Sequence, residues 1–571
     1  MWHMINSVRG KGKNSKKHKS NITPVQFNQY FSSVPLKIIS GIPSSKRDPT
    51  DFKPRADGEF NFSLVTPDIV RKLIMSLKNS DSCDIYGMKT KVIKHIAPAI
   101  HVPLTHLINE SIMNGFFPNA LKTAVVVPVF KKGDPADVSN YRPISLLPVI
   151  SKIFELVMKH QISSYMESNN LFSPQQFGFR AGLSTSDAIM SFVNYCTNCF
   201  EGGEYARATL FDLSKAFDCV LHEILLEKLK RYGFSPDAVK LFASYLAGRK
   251  QTVKWDNEFS PLEEVNVGVP QGSILGPLAF LIYANDIGDV CPTTHFIRFA
   301  DDTTSIISGR SMNEVVAATE QMKDTTKDWM NANKLCLNDD KTATIDVSLR
   351  PSDVKQTEAV KFLGVMLDST LTWSDHCAYV SKKLNSSIYL LRSLNNSVSK
   401  NVLLTCYYGC IHSHLMYAVL AWGHSSAAKS LFGLQRRCVR ILAKAGYRDD
   451  CRPHFVDFNI LTLPCIYIKE CLKYAHINKN KLMKASDVHE YDTRNKENYL
   501  VNYNRLKRSD NSHSYWAVKL YNKIPSDIRN MTLNRFTARI TTILKKEAFY
   551  SIDEFMDFNF QTISDVKPLV D

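Results

Sequence analysis

The apolar positions of this chain change period several times, and each change marks a predicted element. Between Thr66 and Leu107, Ile69, Leu73 and Leu77 and then Val92, Ile96 and Ile100 recur at helical spacing, predicting helices that lead into a core. Lys122 to Phe130 is β-branched and apolar and reads as a strand, followed by helical patterns over Leu146–Met158 and Asp187–Cys196. Thr209-Leu210-Phe211 predicts a strand ending in Asp212, and a helix runs from near Val220 past Leu229. Gln251–Asp256 and Leu262–Val267 predict short strands ahead of an apolar helix that ends at Ile287. His295–Arg298 and Thr303–Ile307 then read as two arms of a tight hairpin. An amphipathic helix over Met312–Asn333, a strand over Thr342–Val347 and a hairpin over Val360–Asp368 follow. Beyond Trp373 the pattern is helical, with segments at Val380–Leu394, Leu403–Trp422 and Leu431–Ala443 and further helices to about Tyr550. No repeat of fixed period is present.

Composition narrows the classes. A chain of 571 residues with 44% hydrophobic content builds several packed cores. A formal charge of +16 points to a polyanionic partner, nucleic acid ahead of an anionic membrane surface. The longest apolar stretch, Ile274–Ala284, is too short to span a bilayer and contains Gly276 and Pro277, so neither a membrane helix nor a signal peptide is expected. Thirteen scattered cysteines suit a reducing compartment, the nucleus or cytoplasm. Cys196 and Cys199 have the spacing of half a zinc site with no second half; Cys438, Cys451, Cys465, Cys471 and His476 form an equally loose set. Arg9, Lys11, Lys13, Lys16, Lys17, His18 and Lys19 make residues 1–20 a flexible basic arm.

Candidate chemistry centres on Phe299-Ala300-Asp301-Asp302. Adjacent carboxylates at a hairpin tip repel one another unless a shared cation, such as a divalent metal, lies between them; a solvated acidic turn is the alternative. Asp212 is a second carboxylate displayed at a strand end, whereas Asp218 suits a helix N-cap. Lys131, Lys132 and Arg142, presented from adjacent turns, could clamp a phosphate. The loop Gln176-Phe177-Gly178-Phe179-Arg180-Ala181-Gly182-Leu183-Ser184-Thr185 precedes a helix and suits an anion. Gly268-Val269-Pro270-Gln271-Gly272 forms a defined turn that lets backbone approach a ligand closely.

The order of these motifs, from Arg142 through Arg180, Asp212, Pro270-Gln271-Gly272, the twin aspartates, Lys341 and Phe362-Leu363-Gly364, closely resembles the reverse transcriptases of non-LTR, LINE-type retrotransposons, most nearly the jockey-like elements. The resemblance covers about residues 60–555. It implies an α+β right-hand polymerase with fingers, a palm carrying an antiparallel sheet, a thumb, and a helical C-terminal region. The implied divisions are a basic flexible arm and linker over 1–60, a helical N-terminal extension over 61–120, fingers and palm over 121–372, thumb over 373–450 and a helical region over 451–571. Asp212, Asp301 and Asp302 would hold two Mg²⁺ ions about 3.5–4 Å apart, with Mn²⁺ as a substitute. Lys132 and Arg142 match triphosphate-binding residues, Gln271 a residue lining the nucleotide pocket, and Phe217 an aromatic gate against a 2′-hydroxyl. Lys341 matches a lysine that assists the pyrophosphate leaving group as a general acid. The implied partners are an RNA template, a DNA primer and target DNA, and dNTPs, with no membrane and no obligate protein partner.

Two features depart from the pattern. Ser80 to Gly87 is irregular where related elements carry a glycine-led segment. Full elements also bear an N-terminal apurinic-type endonuclease, for which the first sixty residues offer no candidate, so the expectation is a truncated copy, a fragment or a domesticated polymerase. A decayed, non-catalytic nucleic-acid-binding remnant and an intron-encoded reverse transcriptase are the competing readings.

Overall fold

The structure is a computed structural model that describes residues 21–52, 58–349, 358–487, 497–501, 504–506 and 512–560; the basic arm over 1–20 lies outside them. The expected linker is interrupted by a helix. Helix α1 (Pro24–Ser40) starts with a capping box between Thr23 and Gln26, has proline in its first turn and buries Phe27, Asn28, Phe31 and Pro35. Phe27 lies 4.9 Å from the Tyr141 ring and 5.0 Å from Trp255, so the segment is docked by aromatic burial. The part of 1–60 expected to be linker thus contains a docked helix over Pro24–Ser40.

The N-terminal extension follows as α2 (Pro67–Ser76), α3 (Thr90–His95) and α4 (Ala97–Asn114), the last ending where Gly115 turns left-handed at φ +61. The irregular stretch before α3 has a structural job. Asp84 accepts from the backbone of Tyr86 and Met88 through one oxygen, and from Val149, the first residue of α5 (Val149–Ser168), through the other.

Two sheets frame the centre. In the first, β1 (Thr123–Phe130) pairs antiparallel with β2 (Tyr141–Leu146) and parallel with β5 (Arg249–Trp255), which also carries β6 (Glu258–Phe259) and β7 (Glu263–Val265). The second is wholly antiparallel, in the order β11 (Ala343–Val347), β3 (Tyr205–Phe211), β9 (Asp302–Gly309), β8 (His295–Phe299). Successive residues of β8 point to opposite faces, and Phe296 and Ile297 enter two different cores. One core includes α6 (Thr185–Gly202) and the C-terminal helices; the other includes α5, α7 (His222–Arg231), α8 (Pro236–Leu246), α9 (Gly276–Tyr283) and α10 (Met312–Ala332). Both faces of this sheet are therefore covered.

Small ladders complete the unit: β4 (Leu213–Ser214) with β10 (Cys336–Leu337), and β12 (Val360–Phe362) with β13 (Val365–Leu367). Helix α11 (Ser374–Leu394) opens the helical region. The single helix expected over Leu403–Trp422 is broken: Lys400–Tyr407 passes through a π-helical turn, and the chain restarts at Val419 after Ala418 adopts φ +50.

Cys196, Cys199, Cys438, Cys465 and Cys471 are buried and unpaired, and His476 stacks on Phe536 at 4.1 Å, so both loose cysteine sets pack as core. Among the described residues no helix is long and apolar enough to cross a membrane.

Candidate active site

The register of the second sheet brings the acids together. Phe211 pairs with Thr303, so Asp212 and Asp302 follow as neighbours at the ends of adjacent strands. Phe299 pairs with Asp302, leaving Ala300 and Asp301 as a two-residue turn. Ala300 takes φ +60, as the first position of a type II′ turn requires, and a non-glycine residue persists there only when its surroundings hold it. Those surroundings are residues 175–178. The Phe177 N–H donates to the Arg298 carbonyl at 2.9 Å, and the Arg298 N–H donates to the Gln175 carbonyl at 2.9 Å. The buried Gln176 accepts from the N–H groups of Gly178 at 2.8 Å and Ala300 at 3.3 Å. Gly178 lies so close that a Cβ there would meet the Ala300 nitrogen at 2.4 Å.

Electrostatics couples the three carboxylates. Burial raises the Asp301 pKa; its own backbone N–H, Arg142 and Lys131 pull it back, while Asp212 raises it further. Burial, then Asp301 and Asp212, push Asp302 up to about 6 even though its side chain reaches solvent. Asp212 pairs with Lys341, Nζ to Oδ2 at 3.3 Å, and this half-exposed pair is worth at most about 1 kcal/mol, weak enough to be exchanged for a ligand. The β4–β10 ladder positions it, since Asn338 donates to the Asp212 carbonyl at 2.8 Å three residues before Lys341. The Lys131 pKa is lowered by burial and by Arg142, Lys341 and Lys132, with Asp212 opposing. Lys131, which the family pattern did not single out, thus stands in the field of Asp212 and Asp301, and Lys132 acts on Lys131.

A second group is laced together around Phe217 and Gln271. Phe217 is half-buried and stacks on Phe280 at 4.6 Å, and its carbonyl accepts from Val269 at 2.9 Å. Gln271 donates through Nε2 to Asp218 Oδ1 at 2.8 Å, and its carbonyl accepts from Ser145 at 2.7 Å. Gly268 and Gly272 take φ +80 and +124, and a Cβ on either would sit 2.5 Å from the backbone oxygen of Asp218 or Ser145. A cavity of about 80 Å³ adjoins this group, lined by Gln271, Asp218, Arg249 and Phe31.

Two readings change. Asp218 caps no helix: α7 begins at His222, and burial raises the Asp218 pKa against the opposing pulls of Gln271 and Lys215. Arg180 does not face an open anion site, because its guanidinium forks onto Glu167 at 2.9 and 2.6 Å. Ser184 and Asp187 spend the helix start on a capping box. Gln176 was visible in the same loop but carried no chemical signal of its own, since its role exists only against β8. Among the described residues no three His, Cys, Asp or Glu side chains close into a metal cage. The donors at the hairpin are carboxylate oxygens alone, which suits a Mg²⁺ ion held by one or two carboxylates with phosphates completing the shell.

Residues 129–367 match the family described as reverse transcriptase (RNA-dependent DNA polymerase). The RNA-directed DNA polymerase from mobile element jockey of Drosophila melanogaster is 29% identical over 392 residues, 64% of this chain and 42% of that protein. The probable RNA-directed DNA polymerase from transposon BS of the same species is 28% identical over 448 residues, 72% of this chain and 49% of that protein. The chain therefore spans less than half the length of these relatives. A telomerase structure from Candida albicans is similar over 58% of this chain and 64% of its own, at 11% identity and a TM-score of 0.38.

Proposed function

We propose that this chain, which carries a reverse transcriptase domain over residues 129–367, extends a DNA primer on an RNA template with dNTPs, as the polymerase of a non-LTR retrotransposon. The observation that carries the reading is the meeting of Asp212 with Asp301 and Asp302 across β3 and β9, opposite Lys131, Arg142 and Lys341.

Asp212 and Asp301, with Asp302 beside them, are the residues that would hold divalent ions. Bound there, two such ions would make the primer 3′-hydroxyl more acidic and neutralise triphosphate oxygens. The protein's own work is placement and charge. Arg142, Lys131 and Lys132 offer positive charge to the triphosphate, Arg142 through a planar fork. Gln271, held by Asp218 and Ser145, lines the nucleotide pocket. The Phe217 ring, fixed against Phe280, acts as the gate against a 2′-hydroxyl. Lys341, beside Asp212, is the proton donor to the leaving pyrophosphate. The net charge of +16 supports template and primer binding through phosphates.

The test is Mg²⁺-dependent dNTP incorporation on a primed RNA template by the purified chain, beside Asp301→Ala. Incorporation well above that variant is expected. Equal incorporation would leave a nucleic-acid-binding remnant instead.

A further inference from the structure

Tyr30 joins the two halves of the nucleotide site from a helix that the sequence pattern had placed in a linker. Its ring lies under the Lys215 ammonium, 4.4 Å from the centroid, and burial, then the field of Asp137 in the β1–β2 connection, raise the pKa of its hydroxyl. Lys215 holds a left-handed backbone at φ +49, and its carbonyl accepts from Asp218 at 2.9 Å and Cys219 at 3.1 Å. The ammonium also attracts Asp218, which accepts from Gln271, whose carbonyl takes the Ser145 N–H. The contacts thus run from Tyr30 through Lys215, Asp218 and Gln271 to Ser145 in β2. Lys215 lies between Asp212 and Phe217 in the chain, so whatever holds Lys215 holds the turn that presents the gate ring.

We infer that Tyr30 is a positioning residue for the incoming nucleotide, fixing the Phe217 turn and Gln271 through its contact with Lys215. This rests on the polymerase reading. The face of an aromatic ring attracts an ammonium most strongly where water is partly excluded, and both side chains here are half-buried. Without the ring, Lys215 swings to solvent, its strained backbone relaxes, and the turn loosens under the sugar.

The experiment measures single-nucleotide incorporation of dNTP and rNTP on a primed RNA template for the wild type, Tyr30→Ala, Tyr30→Phe and Lys215→Met, with melting temperatures for each. Tyr30→Ala and Lys215→Met should each raise KM for dNTP about fivefold and relax discrimination against rNTP, with kcat within about twofold. Tyr30→Phe, which keeps the ring, should restore both. Unchanged KM and discrimination in Tyr30→Ala, or Tyr30→Phe as impaired as Tyr30→Ala, overturns the inference. So does a fall in kcat alone with a lowered melting temperature. An inactive wild type refutes the polymerase reading itself; an active wild type with an unaffected Tyr30→Ala refutes only this inference.

Discussion

Gly178→Ala is the sharpest probe of how the twin-aspartate hairpin is held. Gly178 does not use a left-handed conformation, so alanine accepts its backbone, and restricting the unfolded chain would by itself favour alanine by about 0.4–1 kcal/mol. The obstacle is purely steric. The new methyl carbon would stand 2.4 Å from the Ala300 nitrogen and 2.9 Å from the Phe299 carbonyl carbon, both backbone atoms that cannot rotate away. Ordinary contact begins near 3.4 Å, so hairpin and loop must part by about 1 Å. The loop is pinned to β8 on both sides of Gln176, which leaves the hairpin tip to give way. Overpacking of this kind costs about 1–3 kcal/mol of stability. A 1 Å displacement of Asp301 and Asp302 relative to Asp212 costs about 100-fold in rate. Single-turnover incorporation and urea unfolding measure the two effects separately. Gly433→Ala is the control: it lies in a helix with open space around it, so it should keep the wild-type rate and gain up to about 1 kcal/mol. If Gly178→Ala polymerises within threefold of the wild type, the hairpin is not braced as described.

Three further outcomes follow from the same structure. Lys228 is fully enclosed and donates to Asp286 at 2.6 Å and to the Tyr283 carbonyl at 2.7 Å, so Lys228→Met should strand a buried carboxylate and cost about 3–5 kcal/mol in urea unfolding; a loss under 1 kcal/mol would contradict this. Burial, with Lys383 nearby, depresses His376 to about 4. The unfolded chain therefore takes up a proton below pH 6.5 that the folded one resists, and stability at this site is lost as pH falls from about 6.5 to 4, by about 3 kcal/mol at most. His376→Phe should flatten that part of the pH–stability curve, and an unchanged slope would assign the acid sensitivity elsewhere. Phe217→Val should raise rNTP use relative to dNTP in competition assays; unaltered selectivity would remove Phe217 from the gate.

What the chain alone determined is local. Residue type located the strand ending at Phe211 and the hairpin arm over Thr303–Ile307, because apolar and β-branched residues suit a pleated, buried surface. The order of acidic, basic and Pro-Gln-Gly motifs carried the family resemblance. Tertiary structure decided the rest. Asp218 looks like a cap in isolation, but the close approach of Gly268 and Gln271 encloses it. Arg180 looks free until Glu167 arrives from α5, and Gln176 has no role until β8 lies beside it. The helix at Pro24 was hidden because Phe27, its central aromatic, is buried against Tyr141 and Trp255, more than a hundred residues later. A local pattern records which face of an element is buried, whereas its partner is selected by packing between segments distant in the chain, and no window of sequence contains both sides of that contact.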